Sequence, residues 1–396
     1  MKQKTTVALA ALTYLAAIGA SQLNAKPAPD PRKQPPVDPP AKIENENKNR
    51  IQIALLLDTS NSMDGLIDQA KTQLWKVVNT FIDAKRDGEA PIVEVALYEY
   101  GNNTNAVAND WVRLVSPLTR DLDELSAKLF SLETDGGEEY CGAVIERALG
   151  DLAWDKRKTT YKTIFVAGNE PFTQGRINAK SACKQAYKKG VVINTIHCGQ
   201  RQEGIDGSWH EGAALGGGDF LIIDQDKEVA HIKAPQDDQI SKLSRALNET
   251  YIGYGARREV AAANQQKADQ DALKNAADGA DVQRAVTKSS SNYSNAGWDL
   301  VDAHNEKKID LAKIPGSQLP EELRKVAPED REKIVKKAAE KRAKIQAEIQ
   351  KLNEEREKHV AGEIAKLAEQ GEQTLDQAII KTTRGQASKL GYTFEK

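Results

Sequence analysis

The sequence predicts a doubly wound, mainly parallel α/β sheet followed by an α-helical C-terminal region. Three observations carry this. Short apolar runs alternate with amphipathic helical patterns between residues 51 and 255, the signature of strands covered by crossover helices. The first of those runs opens directly into Asp58-Thr59-Ser60-Asn61-Ser62. After residue 255 the pattern changes to long helical stretches rich in Ala, Lys, Gln and Glu. With 396 residues the chain exceeds one comfortable core, so a domain of about 200 residues with further segments is expected.

The elements follow in chain order. Lys2 and Lys4 precede an apolar stretch over 7–18 and then small residues, which reads as an export signal over 1–25 cut after Ala20 or Ala25. Export places the chain in the periplasm or outside the cell, with no stable membrane span after cleavage; left uncut, the same stretch is a short anchor. Residues 26–50 hold half of the 14 prolines and no apolar period, giving an extended spacer. The expected strands are IQIALLL, IVEVALYEY, TIFVA, VVINTIHC and DFLIID, with helices over 63–82, 122–132, 141–152, 177–189 and 240–251. Cys141, Cys183 and Cys198 are an odd number, and Cys183 and Cys198 are the expected pair, one on a helix and one ending the next strand. No Cys-x-x-Cys or Cys/His cluster suggests a soft metal site.

In an open α/β sheet ligands gather beyond the carboxyl ends of the strands, where Asp58 falls. A carboxylate and two hydroxyls at alternate positions, Asp58, Ser60 and Ser62, are oxygen-only donors. They suit Mg²⁺, or Ca²⁺ or Mn²⁺, better than zinc, and a compact loop favours Mg²⁺ with waters retained. The same residues also serve as a turn that caps the next helix. Neutral hydroxyl ligands leave the ion electrophilic, so a vacant position favours an incoming carboxylate. The 56 basic and 58 acidic residues create no global field for nucleic acid or an anionic membrane; binding belongs to local sites.

The Asp-x-Ser-x-Ser turn, the strand VEVALYEYG, the run VVINTIHCG and the late GGGDFLIID together resemble a von Willebrand factor A domain over about residues 50–255. The resemblance implies a metal-ion-dependent adhesion site at the top of the sheet, which binds a partner whose acidic side chain completes the ion's shell. It also implies a further ligand from the loop Glu133 to Cys141, with Glu138 first and Thr134 second; Glu138 and Glu139 equally suit a helix N-terminus. After TIFVA the family's usual Asp is replaced by Gly168, so Glu170, or Asn169 through its carbonyl, is the remaining candidate there.

No nucleophile-base set stands out. His197 reads as a satisfied core histidine, His210 as a loop residue beside Trp209, and Cys141 has no His at convincing spacing. Asp219 and Asp224 read as edge charges flanking the last strand, and Trp75 and Trp154 as packing residues. In the C-terminal third, residues 257–287 read as a surface-hugging helical segment and 288–297 as a loop. A helix over 329–370 has Ile334, Ala338, Ile345, Ile349, Leu352, Val360, Ile364 and Leu367 in a narrow stripe that Lys341, Arg342 and Arg356 interrupt. The expected organisation is signal 1–25, spacer 26–50, sheet domain 51–255 and helical region 256–396. The expected function is an exported, non-enzymatic protein-binding module using an Mg-type ion to capture an acidic partner side chain. The alternative is a metal-free envelope scaffold assembling through its C-terminal helices. A hydrolase with Glu138 or Glu170 as base is the weakest reading.

Overall fold

The computed structural model describes residues 49–63, 75–223, 232–274, 279–368 and 375–394. The expected export signal, the spacer up to residue 48, residues 64–74 of the first expected helix and Asp224 lie outside the described residues. Residues 47–396 form one compact unit.

Strand β1 (Arg50–Asp58) is the centre of a six-stranded sheet. It pairs in parallel with β3 (Ile92–Tyr100) on one side and β5 (Tyr161–Gly168) on the other. Beyond β5 come β6 (Val192–Cys198) and β7 (Gly217–Ile223), also parallel. The far edge is β4 (Arg113–Thr119), antiparallel to β3 and not expected from the sequence, because Ser116 and Pro117 break its apolar period. A two-stranded ribbon joins β2 (Ala84–Lys85) to β8 (Thr393–Phe394).

Alternation along β1 sorts the core into two layers. Ile51, Ile53, Leu55 and Leu57 face a layer with Trp75, Val78, Phe81 and α1 (Leu122–Phe130). Ala54 and Leu56 face α2 (Cys141–Asp151), α3 (Ala179–Lys188) and Trp209. Asp121 caps α1 by accepting from the Glu124 amide, and Asn178 caps α3 by accepting from Ser181. The sequence reading placed His210 on a loop, but Trp209 and His210 begin a helix. Two short helices, α4 (Arg201–Asp206) and α5 (Trp209–Leu215), occupy that connection, and Trp209 is buried.

The three cysteines are free and buried. Cys183 lies in the α2–α3 layer and Cys198 in the opposite one, so the sheet separates the pair expected to be bridged.

The C-terminal part contains α6 (Asp237–Asn248), α7 (Arg258–Lys274), α8 (Ala280–Lys288), α9 (Leu300–Asn305), α10 (Glu321–Arg324), α11 (Pro328–Ala368) and α12 (Leu375–Ser388). The residues that interrupt the stripe of α11 are its anchors. Arg342 bonds Asp299 at 2.7 Å and Asp302 at 2.6 Å and lies 4.0 Å over the Tyr251 ring. Arg356 pairs with Asp237 at 2.7 Å. Ile345 and Ile349 pack against Ile240, Leu247 and Val286, whereas Ile334 is exposed and Val335 takes the buried place. Nor does the 257–287 segment merely hug the surface: Arg284 and Lys288 are fully buried on Asp123 and Asp269. The chain end returns to the sheet, where Tyr161 donates to Gln386 Oε1 at 2.7 Å and Tyr392 to the Arg50 carbonyl at 2.7 Å. Asp219 lies within β7, not beside it, and Gln386 donates to it at 3.2 Å. Among the described residues no helix is long and apolar enough to cross a membrane.

Candidate metal centre

After β1 the chain crosses to β3 on one side, and β5 then lies on the other, so a topological switch point opens at the carboxyl end of β1. Asp58 ends that strand and is fully buried. Its Oδ1 accepts the Ser60 amide at 2.8 Å, which folds the turn so that the Ser60 and Ser62 hydroxyls lie 3.0 Å apart. Ser62 donates to Asn169 Oδ1 at 3.2 Å across the switch point. Asp58 Oδ2 is buried with no hydrogen-bond partner among the described residues.

The loop before α2 closes over this turn. The Asp135 amide donates to the Thr59 carbonyl at 3.0 Å, and Asn102 Nδ2 donates to the Glu133 carbonyl at 2.9 Å. Pinned in this way, the loop places the half-buried Glu139, and not the exposed Glu138, beside the turn, near enough to Ser60 to interact with it and with its Cγ against Gly101. Glu138 is exposed, and its carboxylate accepts from Tyr140 at 3.4 Å. Thr134 is half-buried farther back in the loop. Gly101 explains the phase. It has φ +77°, and a Cβ there would stand 2.8 Å from both Asp58 Oδ1 and Glu139 Cγ, so only glycine lets the two carboxylates approach across it. This choice between adjacent acids was missed by sequence reasoning; the glycine directly after VEVALYEY was the available signal.

Gly168 shows why the usual carboxylate is absent from this loop. A Cβ there would lie 2.6 Å from the Tyr100 hydroxyl, 3.1 Å from Asp58 Oδ2 and 3.1 Å from Trp209 Cη2. Tyr100 is held by the Ala167 carbonyl at 2.8 Å, and Trp209 Nε1 donates to the Glu170 carbonyl at 2.8 Å. Two aromatic side chains therefore fill the space, and Trp209 ties down the backbone at Glu170. The Glu170 carboxylate, half-buried, accepts from Gln174 at 3.4 Å and lies near enough to Asp58 and Glu139 to act on both electrostatically.

The electrostatics are those of crowded anions. Burial, with smaller contributions from Glu139 and Glu170, pushes Asp58 up from 3.8 to about 7, against the Ser60 amide bond that lowers it. Glu139 is raised by burial first and then by Glu170 and Glu138. Among the described residues no group of three His, Cys, Asp or Glu side chains is arranged to hold a metal ion. The donor set here is instead a carboxylate, two hydroxyls and a flanking carboxylate. These hard oxygens, centred on an unpartnered buried Asp58 Oδ2, fit a hard divalent cation. Cys141 has the Tyr100 hydroxyl as a polar neighbour at 3.5 Å, and burial raises its thiol. His197 is buried against Trp209, with no partner on either ring nitrogen among the described residues, where a satisfied histidine was expected.

No family model matches the chain, and no curated protein matches it. Several solved structures align with it. The VWA domain of SpRpn10 is 18% identical, with 46% of this chain and 91% of that one covered at a TM-score of 0.35. The vWF domain of the type V pili tip protein Mfa5 from Porphyromonas gingivalis is 12% identical, with 45% and 90% covered at 0.32. Proximal thread matrix protein 1 from the mussel byssus, solved with a zinc-occupied MIDAS motif, is 17% identical, with 46% and 43% covered at 0.35. The strand order, and the place of the Asp-x-Ser-x-Ser turn at the carboxyl end of the central strand, agree with the doubly wound von Willebrand factor A-like sheet expected from the sequence.

Proposed function

We propose that the chain is an exported, non-enzymatic protein-binding module that holds an Mg²⁺-type ion at Asp58, Ser60 and Ser62, with Glu139 as the flanking carboxylate. The observation that carries this is the unpartnered Asp58 Oδ2, buried at the centre of converging hydroxyl and carboxylate oxygens. An isolated buried acceptor is costly, and a cation is the partner that its surroundings suit. Asn169 and Glu170 stand at the rim of the same crevice. The ion, when bound, supplies an electrophilic point that a partner's side-chain oxygen completes. An acidic side chain is the donor that the one-carboxylate turn favours. Glu139 beside Asp58 already balances a dication's charge, which extends the range to carboxamide and hydroxyl donors.

The scaffold reading needs an exposed apolar seam on the long helix. Val335, Ile345 and Ile349 are instead buried within the chain, which favours the binding module. The test is capture of partners from envelope extract by immobilised residues 47–396, with Mg²⁺ or with EDTA, for the native chain and for Asp58→Ala with Ser60→Ala. Capture lost both with EDTA and with the double variant supports the proposal. Capture that survives both assigns the binding to another surface.

A further inference from the structure

The end of the sheet opposite the candidate metal centre has the contrary charge. Four connections meet there: the turn before β3, the segment before β5, the turn before β6 and the end of α12. Arg86 donates to the Thr159 carbonyl at 3.4 Å and lies 6.0 Å from the Tyr392 ring, and Tyr392 also reaches Thr159 at 3.4 Å. Lys162 Nζ bonds the Asp155 carbonyl at 2.9 Å and lies 3.8 Å from where a Gly190 Cβ would be. These links bring Lys156, Lys158, Lys188, Lys189 and Lys389 to one end of the molecule. All five are exposed, and none has a hydrogen-bond or ion-pair partner for its ammonium among the described residues.

The neighbouring acids are mostly occupied. Asp155 pairs with Arg157 at 2.5 Å and Arg50 at 3.7 Å, and Asp83 pairs with Arg384 at 3.1 Å. Asp151, exposed at the end of α2, pairs with Arg147 at 3.0 Å, and Asp87 and Glu89 are further exposed acids at the tip of the turn before β3. Tyr187, 61% exposed, adjoins Lys188; a phenol ring beside lysines suits a headgroup layer. About 30 Å away, the length of a nine-residue strand, the loops around Asp58 carry Glu133, Asp135, Glu138, Glu139 and Glu170. The near-neutral total charge thus conceals a basic end and an acidic end.

We propose that the basic end is a docking surface for an anionic phospholipid bilayer, which sets the chain with its candidate metal centre facing away from the membrane. Clustered unpaired ammonium groups and an exposed tyrosine match phosphate headgroups. The polypeptide enters β1 at Arg50 on this same end. This inference is independent of the ion at Asp58.

The test is vesicle co-sedimentation of residues 47–396, the compact unit, so that the apolar N-terminal stretch takes no part. Vesicles of phosphatidylglycerol and phosphatidylcholine are compared with phosphatidylcholine alone. Lysines near a charged surface each contribute roughly fivefold in partitioning, so neutralising four predicts a loss of at least about 100-fold. Lys156→Gln, Lys158→Gln, Lys188→Gln and Lys189→Gln combined should show that loss. Lys333→Gln, Lys336→Gln, Lys337→Gln and Lys344→Gln on α11 should lose less than tenfold, and EDTA should change nothing. The proposal fails if the native chain ignores anionic vesicles or if both quadruple variants weaken alike. It also fails if millimolar inorganic phosphate at constant ionic strength displaces the chain, which would mark a site for free phosphate.

Discussion

Placing a carboxylate at Gly168 should damage this protein. A Cβ at that position stands 2.6 Å from a Tyr100 hydroxyl that is itself held by the Ala167 carbonyl, and 3.1 Å from both Asp58 Oδ2 and the Trp209 ring. None of these neighbours is the free end of a flexible chain, so Gly168→Ala should cost about 1–3 kcal/mol of stability by overpacking alone. Above about pH 8, where Asp58 is ionised, Gly168→Asp adds a like charge about 5 Å from Asp58, worth about 3 kcal/mol at an effective dielectric of about 20, so the two together approach 5 kcal/mol in chelator. Urea denaturation of the three chains in EDTA measures both steps. Tyr100→Phe, which removes the clashing oxygen, should lower the cost of Gly168→Ala by about 1–2 kcal/mol in a double-mutant cycle. If Gly168→Asp folds with undiminished stability and binds Mg²⁺ more tightly than the native chain, the packing argument is wrong. The Tyr100 and Trp209 side chains would then be movable rather than fixed fillers of a ligand's place.

Three further outcomes follow from the same geometry. The Asp58 carboxyl, raised from 3.8 to about 7 by burial, keeps in the folded chain a proton that the unfolded chain has released. In EDTA its stabilising contribution is therefore complete below pH 4 and lost as pH rises through 7, by up to about 4 kcal/mol; Asp58→Asn should flatten that slope in pH-dependent denaturation. Arg342→Ala leaves Asp299 buried without its partner and should cost about 3–5 kcal/mol by urea denaturation, whereas a solvated helix would lose under about 0.5 kcal/mol. Thiol titration of the unreduced, denatured chain should count all three cysteines; a count of one would restore the bridge that the opposite core layers exclude.

The parallel strands were legible because burial on both faces writes them as unbroken apolar runs: IVEVALYEY coincides with β3 residue for residue. The convergence of Asp58, Ser60 and Ser62 was legible because one short turn holds all three. Glu139 was not, because its selection over Glu138 depends on Gly101 of another loop, and the order of adjacent acids in sequence carries no record of that approach. The helical third was read through its apolar period alone, which counted Arg342 and Arg356 as interruptions. Their partners, Asp299 and Asp237, lie 43 and 119 residues away, beyond any local pattern. Strand β4 and the short helices α4 and α5 have too few apolar positions to establish a period. The return of Gln386 to Tyr161 spans 225 residues and depends on tertiary contact throughout.

Isothermal titration of residues 47–396 with Mg²⁺ tests the central claim most directly. One binding event is expected at millimolar ion or below, abolished by Asp58→Asn, weakened at least tenfold by Glu139→Gln and changed less than threefold by Glu138→Gln, since a carboxylate that touches the ion contributes more than about 1 kcal/mol and an exposed neighbour does not. No heat and no thermal stabilisation at 10 mM Mg²⁺, Ca²⁺ or Mn²⁺, a range that ordinary protein sites for hard cations fall within, would contradict the account.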